Sequence, residues 1–171
     1  MLVAVSRRHV LSAGIRDLMD LASVIAQIES GNNPHAMRFE PLVFQSPFPA
    51  RPAAERSLIT KIEAIHGCSL ATAEMIYSTS WGAYQIMGMT LYDLGYAKPI
   101  MDFMTSPDDQ LAMFNTFCTR RGIAFTVDQL RDDSAAREKF ASRYNGPGNI
   151  ADYSARIAAE IARQGAENHD R

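Results

Sequence analysis

Ile15-Arg16-Asp17-Leu18-Met19-Asp20-Leu21-Ala22-Ser23-Val24-Ile25-Ala26-Gln27-Ile28-Glu29-Ser30-Gly31-Asn32-Asn33-Pro34 is the stretch whose reading decides the fold class. Ile15, Leu18, Met19, Ala22, Ile25 and Ile28 recur at helical spacing, with Arg16, Asp17, Asp20, Ser23 and Gln27 largely between them. That is the period of an amphipathic helix. Gly31, Asn32, Asn33 and Pro34 each oppose its continuation, so the helix is predicted to end near Ser30, with Glu29 in its last turn.

The same period returns downstream. Leu58, Ile59, Ile62 and Ile65 predict a helix over Ala53 to Ile65 closed by Gly67, and Ser69 is placed to cap a helix over Ala71 to Tyr77. Ser106-Pro107-Asp108-Asp109 is a helix start with a capping hydroxyl, an early proline and two acids at the positive end of the dipole. That helix is predicted to run to Arg120-Arg121 and stop at Gly122. Thr126 and Ser134 are read as caps for helices Val127 to Arg131 and Ala135 to Ser142, and a last helix covers Ile150 to Gln164. Only Met37 to Arg51, rich in Phe and Pro, reads as irregular, with a short strand through Leu42-Val43-Phe44. The expectation is an all-α, mainly helical chain forming a single domain over 1–171, with at most a short strand or hairpin around residues 37–46.

Composition narrows the function classes. The chain has 171 residues, 47% of them hydrophobic and 21% charged, enough for a sizeable core. A net charge of −2 and basic residues no denser than pairs such as Arg7-Arg8 leave no electrostatic footprint for nucleic acid. Cys68 and Cys118 stand apart from each other and from any CxxC pattern, and are expected to be buried reduced thiols. His9, His35, His66 and His169 lack the spacing that sets two ligands on one helix face, so no metal and no cofactor are expected. The apolar start, Met1 to Val5, is cut short by Ser6-Arg7-Arg8-His9, and no apolar run approaches the roughly 20 residues needed to span a bilayer. No signal peptide and no membrane insertion are therefore expected.

Three segments mix small and polar residues amid apolar surroundings. They are Ile28-Glu29-Ser30-Gly31-Asn32-Asn33-Pro34, Ser80-Trp81-Gly82-Ala83-Tyr84-Gln85-Ile86-Met87-Gly88 and Arg143-Tyr144-Asn145-Gly146-Pro147-Gly148-Asn149. Glycines let backbone approach a ligand closely, and Gln, Asn and Tyr can hydrogen-bond sugar hydroxyls and acetamido groups. Each segment alone also reads as ordinary structure: a helix C-cap, a turn before a helix, and a helix-ending Asn-Gly turn.

In this order the segments resemble the three motifs of the goose-type lysozyme and soluble lytic transglycosylase superfamily. The matches are Glu29-Ser30, Gly82-Ala83-Tyr84-Gln85-Ile86 and Tyr144-Asn145-Gly146. The resemblance to the N-acetylmuramidase family of phage endolysins is closer, carried by Ser80 to Gly88 and by Arg38-Phe39-Glu40-Pro41-Leu42-Val43-Phe44, and extends from about Ile15 to about Ile161. The resemblance implies a lysozyme-like fold and cleavage of bacterial peptidoglycan between N-acetylmuramic acid and N-acetylglucosamine. It makes Glu29 the catalytic acid, which requires a carboxyl still protonated near neutral pH and hence a burial-raised pKa. Gln85 and the Gly82–Ile86 backbone are implied to line the groove and hold the sugar beside Glu29, and Ser30 is a further substrate-binding candidate. Tyr144 and Asn145 are implied to flank the acid, with the Tyr144 hydroxyl in reach of Glu29 or substrate. Tyr77 and Ser80 are further candidates for the groove wall, and Trp81 reads either as a sugar platform or as core.

A hydrolase normally uses a second carboxylate, whereas a lytic transglycosylase does without because the muramic acid 6-hydroxyl attacks. Glu40 is the first candidate for that carboxylate, with an ion pair to Arg38 as its alternative role. Asp93 and Asp102 are further options. Arg143-Tyr144-Asn145 and Ala83-Tyr84-Gln85 depart from the transglycosylase pattern and lean toward the muramidases. The resemblance thus implies a phage endolysin or virion-tail lysozyme. Its implied partners are peptidoglycan and other phage tail or lysis proteins, and its location is the host cytoplasm until release to the wall, or the virion. The rivals are a lytic transglycosylase, a non-catalytic wall-binding protein on the same fold, and a chitin or chitosan hydrolase.

Overall fold

The structure, a computed structural model, describes residues 21–169. The expected start of the first helix at Ile15 lies outside the described residues. The described residues form two compact units, one of 21–28 together with 118–169, the other Glu29–Phe117.

The first helix, α1, covers 21–30. Ala22 and Ile25 are buried and Ser23 is exposed, as the period predicted, whereas Ile28 is only half-buried and Leu21, Val24 and Ala26, outside that period, are buried as well.

In Glu29–Phe117 a three-stranded antiparallel sheet, ordered β1-β2-β3, is built from β1 (Met37–Phe39), β2 (Thr79–Trp81) and β3 (Ile86–Met87). Met37 faces Trp81 and Phe39 faces Thr79, while Trp81 also faces Ile86. The strand expected at Leu42-Val43-Phe44 is instead a short helix, α2 (Pro41–Phe44), because Pro41 sits at a helix start where its missing N–H costs nothing. The sheet beyond residues 37–46 is a second correction: Thr79 to Met87 is a strand pair. Gly82 (φ 75°) and Gln85 (φ 49°) both take left-handed backbone and reverse the chain between β2 and β3.

Around the sheet lie α3 (Ala53–His66), α4 (Leu70–Tyr77), α5 (Gly88–Asp93) and α6 (Ile100–Thr105). Ile59, Ile62, Ile76, Leu91, Tyr92 and Phe103 form the buried centre. α3 ends on left-handed Gly67 and α4 starts with the Ser69 hydroxyl accepting from Thr72 N–H, both as predicted. The next helix, α7 (Pro107–Arg120), starts from Ser106, whose Oγ accepts from Asp109 N–H at 3.1 Å. Arg51, only 3% exposed, anchors the irregular 41–51 segment. Its guanidinium donates to Val43 O (2.8 Å) and Glu55 (3.1 Å) and lies 3.7 Å from Glu74.

The other unit contains α8 (Val127–Asp132), α9 (Ser134–Asn145) and α10 (Ile150–His169), with α10 packed along α9 and against α8. Tyr153, Ile157 and Ile161 are the buried stripe of α10, and Phe140 that of α9. Asp133, not Ser134, caps α9: its extended backbone lets the carboxylate accept from Ala135 N–H at 2.8 Å. Thr126 forms a full capping box with Gln129. Thr126→Ala removes one half of it and is expected to cost about 1 kcal/mol, lowering Tm by about 2–4 °C in a thermal melt.

Cys68 and Cys118 are free thiols, Cys118 buried and Cys68 part-exposed. Among the described residues no helix is long and apolar enough to cross a membrane.

Candidate active site

Glu29 lies half-buried in the last turn of α1. Gly31 (φ 64°) and Asn32 (φ 61°) then reverse the chain through two consecutive left-handed residues. The Ser30 hydroxyl fixes that reversal by accepting from Asn33 N–H at 3.0 Å, and Asn33 Oδ1 in turn accepts from His35 N–H at 2.9 Å. Asparagine and glycine are the residues for which this backbone is least costly.

The same Ser30 hydroxyl donates to Ala83 O at 2.9 Å, across 53 residues of sequence. The first and second motifs are thereby joined. Within the second motif each position has a separate job. Gly82 N–H donates to Ala36 O at 2.8 Å, continuing the β1–β2 ladder. Tyr84 stacks on Phe114 with centroids 4.4 Å apart and pins the turn to the interior. Gln85 folds back, its backbone N–H donating to Gly82 O at 3.2 Å and its Nε2 to the same oxygen at 3.0 Å. Ile86 is buried in β3.

Sequence reasoning missed Gln110. This side chain is 1% exposed, and its Oε1 accepts from Ala83 N–H at 2.8 Å while Nε2 donates to Pro34 O and Phe103 O, both at 3.0 Å. A signal was present: Gln110 shares the apolar stripe of α7 with Phe114 and Phe117 at helical spacing, where a polar residue has no reason to be unless it is fully bonded.

Glu40 stands at the start of α2, just after β1, and its backbone N–H donates to Ser78 O at 2.9 Å. Its carboxylate makes the ion pair that was its alternative role, with Arg38 Nε at 2.6 Å; the two side chains are 30% and 65% exposed. An exposed pair of this kind contributes at most about 1 kcal/mol, so a ligand can displace it. Asp93 and Asp102 are exposed.

Two groove-wall expectations are corrected. Tyr77 is 1% exposed, lies under the Arg51 guanidinium at 5.1 Å, and bonds Glu55; burial first, then the Glu55 charge, pushes its phenol up to about 12. Ser80 is equally buried, its hydroxyl donating to Met87 Sδ at 3.0 Å. Both belong to the interior, because the strand and helix that carry them are buried on the faces they present. Trp81 is core as well: its indole N–H donates to Ile76 O at 3.1 Å.

The third motif belongs to the other unit. Tyr144, in the last turn of α9, stacks between Phe140 (5.5 Å, 12°) and Tyr153 (6.0 Å, 18°). Asn145 is exposed at the helix end, before left-handed Gly146. Arg143 bonds Gly122 O. Arg156 lies 5.7 Å over the Tyr153 ring and donates to Ile28 O, a carbonyl in the last turn of α1. A cation at that helix end is favourable to the dipole.

The sequence profile of a family described as N-acetylmuramidase matches residues 59–164, a range that holds the second and third motifs and begins after Glu29 and Glu40. The endolysin of Enterobacteria phage PRD1 is 41% identical over 134 residues, which cover 77% of this chain and 89% of that protein. No solved structure matches the chain. A profile match over more than half of the sequence, a relative of this identity and coverage, and a Gly82–Ile86 turn bonded to Ser30 lead to one assignment: the chain belongs to the N-acetylmuramidase family.

Proposed function

We propose that this muramidase is an endolysin that cleaves peptidoglycan between N-acetylmuramic acid and N-acetylglucosamine with Glu29 as general acid. The observation that carries the reading is the Ser30–Ala83 hydrogen bond, which holds the residue next to Glu29 against the second motif. Glu29 gives its proton to the glycosidic oxygen as the bond from that oxygen to C1 of muramic acid breaks. Water adds to C1, and its proton passes to a second carboxylate, for which Glu40 is the proposal.

Ser30 spends its hydroxyl on Ala83 and Asn33, so its role is to hold the turn rather than the sugar. Gln85 commits Nε2 to Gly82, which leaves its amide oxygen to accept from a sugar hydroxyl or acetamido N–H. Tyr144 and Asn145 are proposed as substrate contacts on the resemblance alone. The PRD1 relative is an endolysin, which favours action at lysis over a virion-tail role.

The Arg38–Glu40 ion pair favours one rival, since a carboxylate engaged by a guanidinium must let it go before it can reach a water, and a transglycosylase needs no second carboxylate. Mass spectrometry of digested peptidoglycan separates the two. The expected product ends in reducing muramic acid; exclusive 1,6-anhydro ends would overturn hydrolysis. Glu40→Gln in the same digest is expected to lose the hydrolytic product without gaining the anhydro one.

A further inference from the structure

We infer that Gln110 is the positioning residue of this site, a buried amide whose two ends set the second motif and the loop leaving α1 in one register. The inference rests on the reading of Glu29 above. Oε1 accepts from Ala83 N–H at 2.8 Å, and Nε2 faces three carbonyls, Pro34 O at 3.0 Å, Phe103 O at 3.0 Å and Met104 O at 3.4 Å. Phe103 and Met104 are in the last turn of α6, where carbonyls have no partner within the helix, and Phe103 O also accepts from the N–H of the C-cap Ser106 at 3.3 Å. Pro34 closes the loop that begins at Ser30.

Ala83 is therefore clasped on both sides, its N–H by Gln110 and its C=O by Ser30. Gly82 explains why the clasp can be so close. A Cβ there would lie 2.7 Å from Gln110 Oε1, and its φ of 75° already disfavours any side chain. Gln85 hangs from Gly82 O, so its orientation follows from where Gln110 puts the turn.

An amide meets this demand and a carboxylate does not. Glutamate ionised would turn an anion toward three carbonyl oxygens; protonated, it again has one donor for a carbonyl and one acceptor for Ala83 N–H. The groups that meet the amide come from Pro34, Gly82, Ala83, Phe103 and Met104, none of which titrates. Gln110→Glu thus carries its own pH signature. Burial among carbonyls raises the new carboxyl's pKa, so function is present below that pKa and is lost as pH rises through it.

The test measures kcat and KM of wild type, Gln110→Glu and Ser30→Ala on soluble peptidoglycan fragments across pH, with near-UV circular dichroism on the same samples. Gln110→Glu at neutral pH is expected to lose about 30-fold in kcat, with KM little changed, because the misplaced turn affects reacting geometry more than binding. Its activity relative to wild type should rise as pH falls, at constant dichroism. Wild-type kcat throughout, or a loss that only tracks unfolding, would overturn the inference. If Gln110→Glu does not fold at any pH, Ser30→Ala decides: lowered kcat at held KM supports the clasp on Ala83, and wild-type kcat overturns it. An inactive Glu29→Gln beside a fully active Gln110→Glu overturns this inference alone. An active Glu29→Gln overturns the acid assignment whatever Gln110→Glu does.

Discussion

Glu29→Gln is expected to slow glycan cleavage by about a thousand-fold or more, the typical contribution of a positioned general acid. Turbidity loss of a purified peptidoglycan suspension measures it, with a thermal melt alongside. Gln has the shape of Glu and cannot deliver a proton, so the change isolates the chemistry. Stability should stay within about 0.5 kcal/mol or rise slightly, since Glu29 is half-buried at a helix C-terminus, where a carboxylate is opposed by the dipole and a neutral amide is not. A variant that keeps activity within about ten-fold of wild type would remove Glu29 from the mechanism, because a loss that small is less than general acid catalysis contributes.

What made the helix end at Glu29 legible was local. Ala22 and Ile25 carry a helical period that burial confirms, and the Gly31-Asn32 reversal uses the two residue types that tolerate left-handed backbone. Caps such as Ser69, Ser106 and Thr126 were readable for the same reason, since donor and acceptor sit within three residues of each other. Contacts across long sequence separations were not. The β2–β3 pair was hidden because a strand of two or three residues leaves no alternation to count, and its partner β1 lies some forty residues earlier, at Met37–Phe39.

Tyr77 and Ser80 show the same limit at the site. Their residue types suit a sugar groove, but side-chain direction depends on the strand pairing and on Arg51, which the sequence places in an irregular stretch. Gln110 carried a readable anomaly, a polar residue on an apolar stripe, yet its partners at Pro34 and Ala83 are 76 and 27 residues away. A sequence pattern can say that such a side chain must be satisfied. It cannot say by what.

Gly88→Ala is expected to have the largest effect on the fold itself. A Cβ at position 88 would lie 1.9 Å from Ile76 O and 3.2 Å from Trp81 Nε1. The first of these is backbone, so no rotamer change relieves it; α4 and α5 would have to separate. Ile76 O is also the acceptor for the Trp81 indole and for Ser78 N–H, so separation breaks the bonds that hold β2 against the end of α4. Overpacking joined to unpaired buried polar groups is among the few routes to losses above about 4 kcal/mol, against a total stability of about 5–15 kcal/mol for a typical domain. A fall in Tm of at least about 8–16 °C follows, or too little folded protein to melt. Gly31→Ala is the control. Its φ of 64° is unfavourable for alanine, but its Cβ would meet nothing within 4 Å, so only the backbone term of about 1–2 kcal/mol remains. Equal Tm values for the two variants would mean that space at position 88 is not what demands glycine, and that the approach of α4 to α5, which holds the β2–β3 turn beneath Ser30, is not as close as 1.9 Å implies.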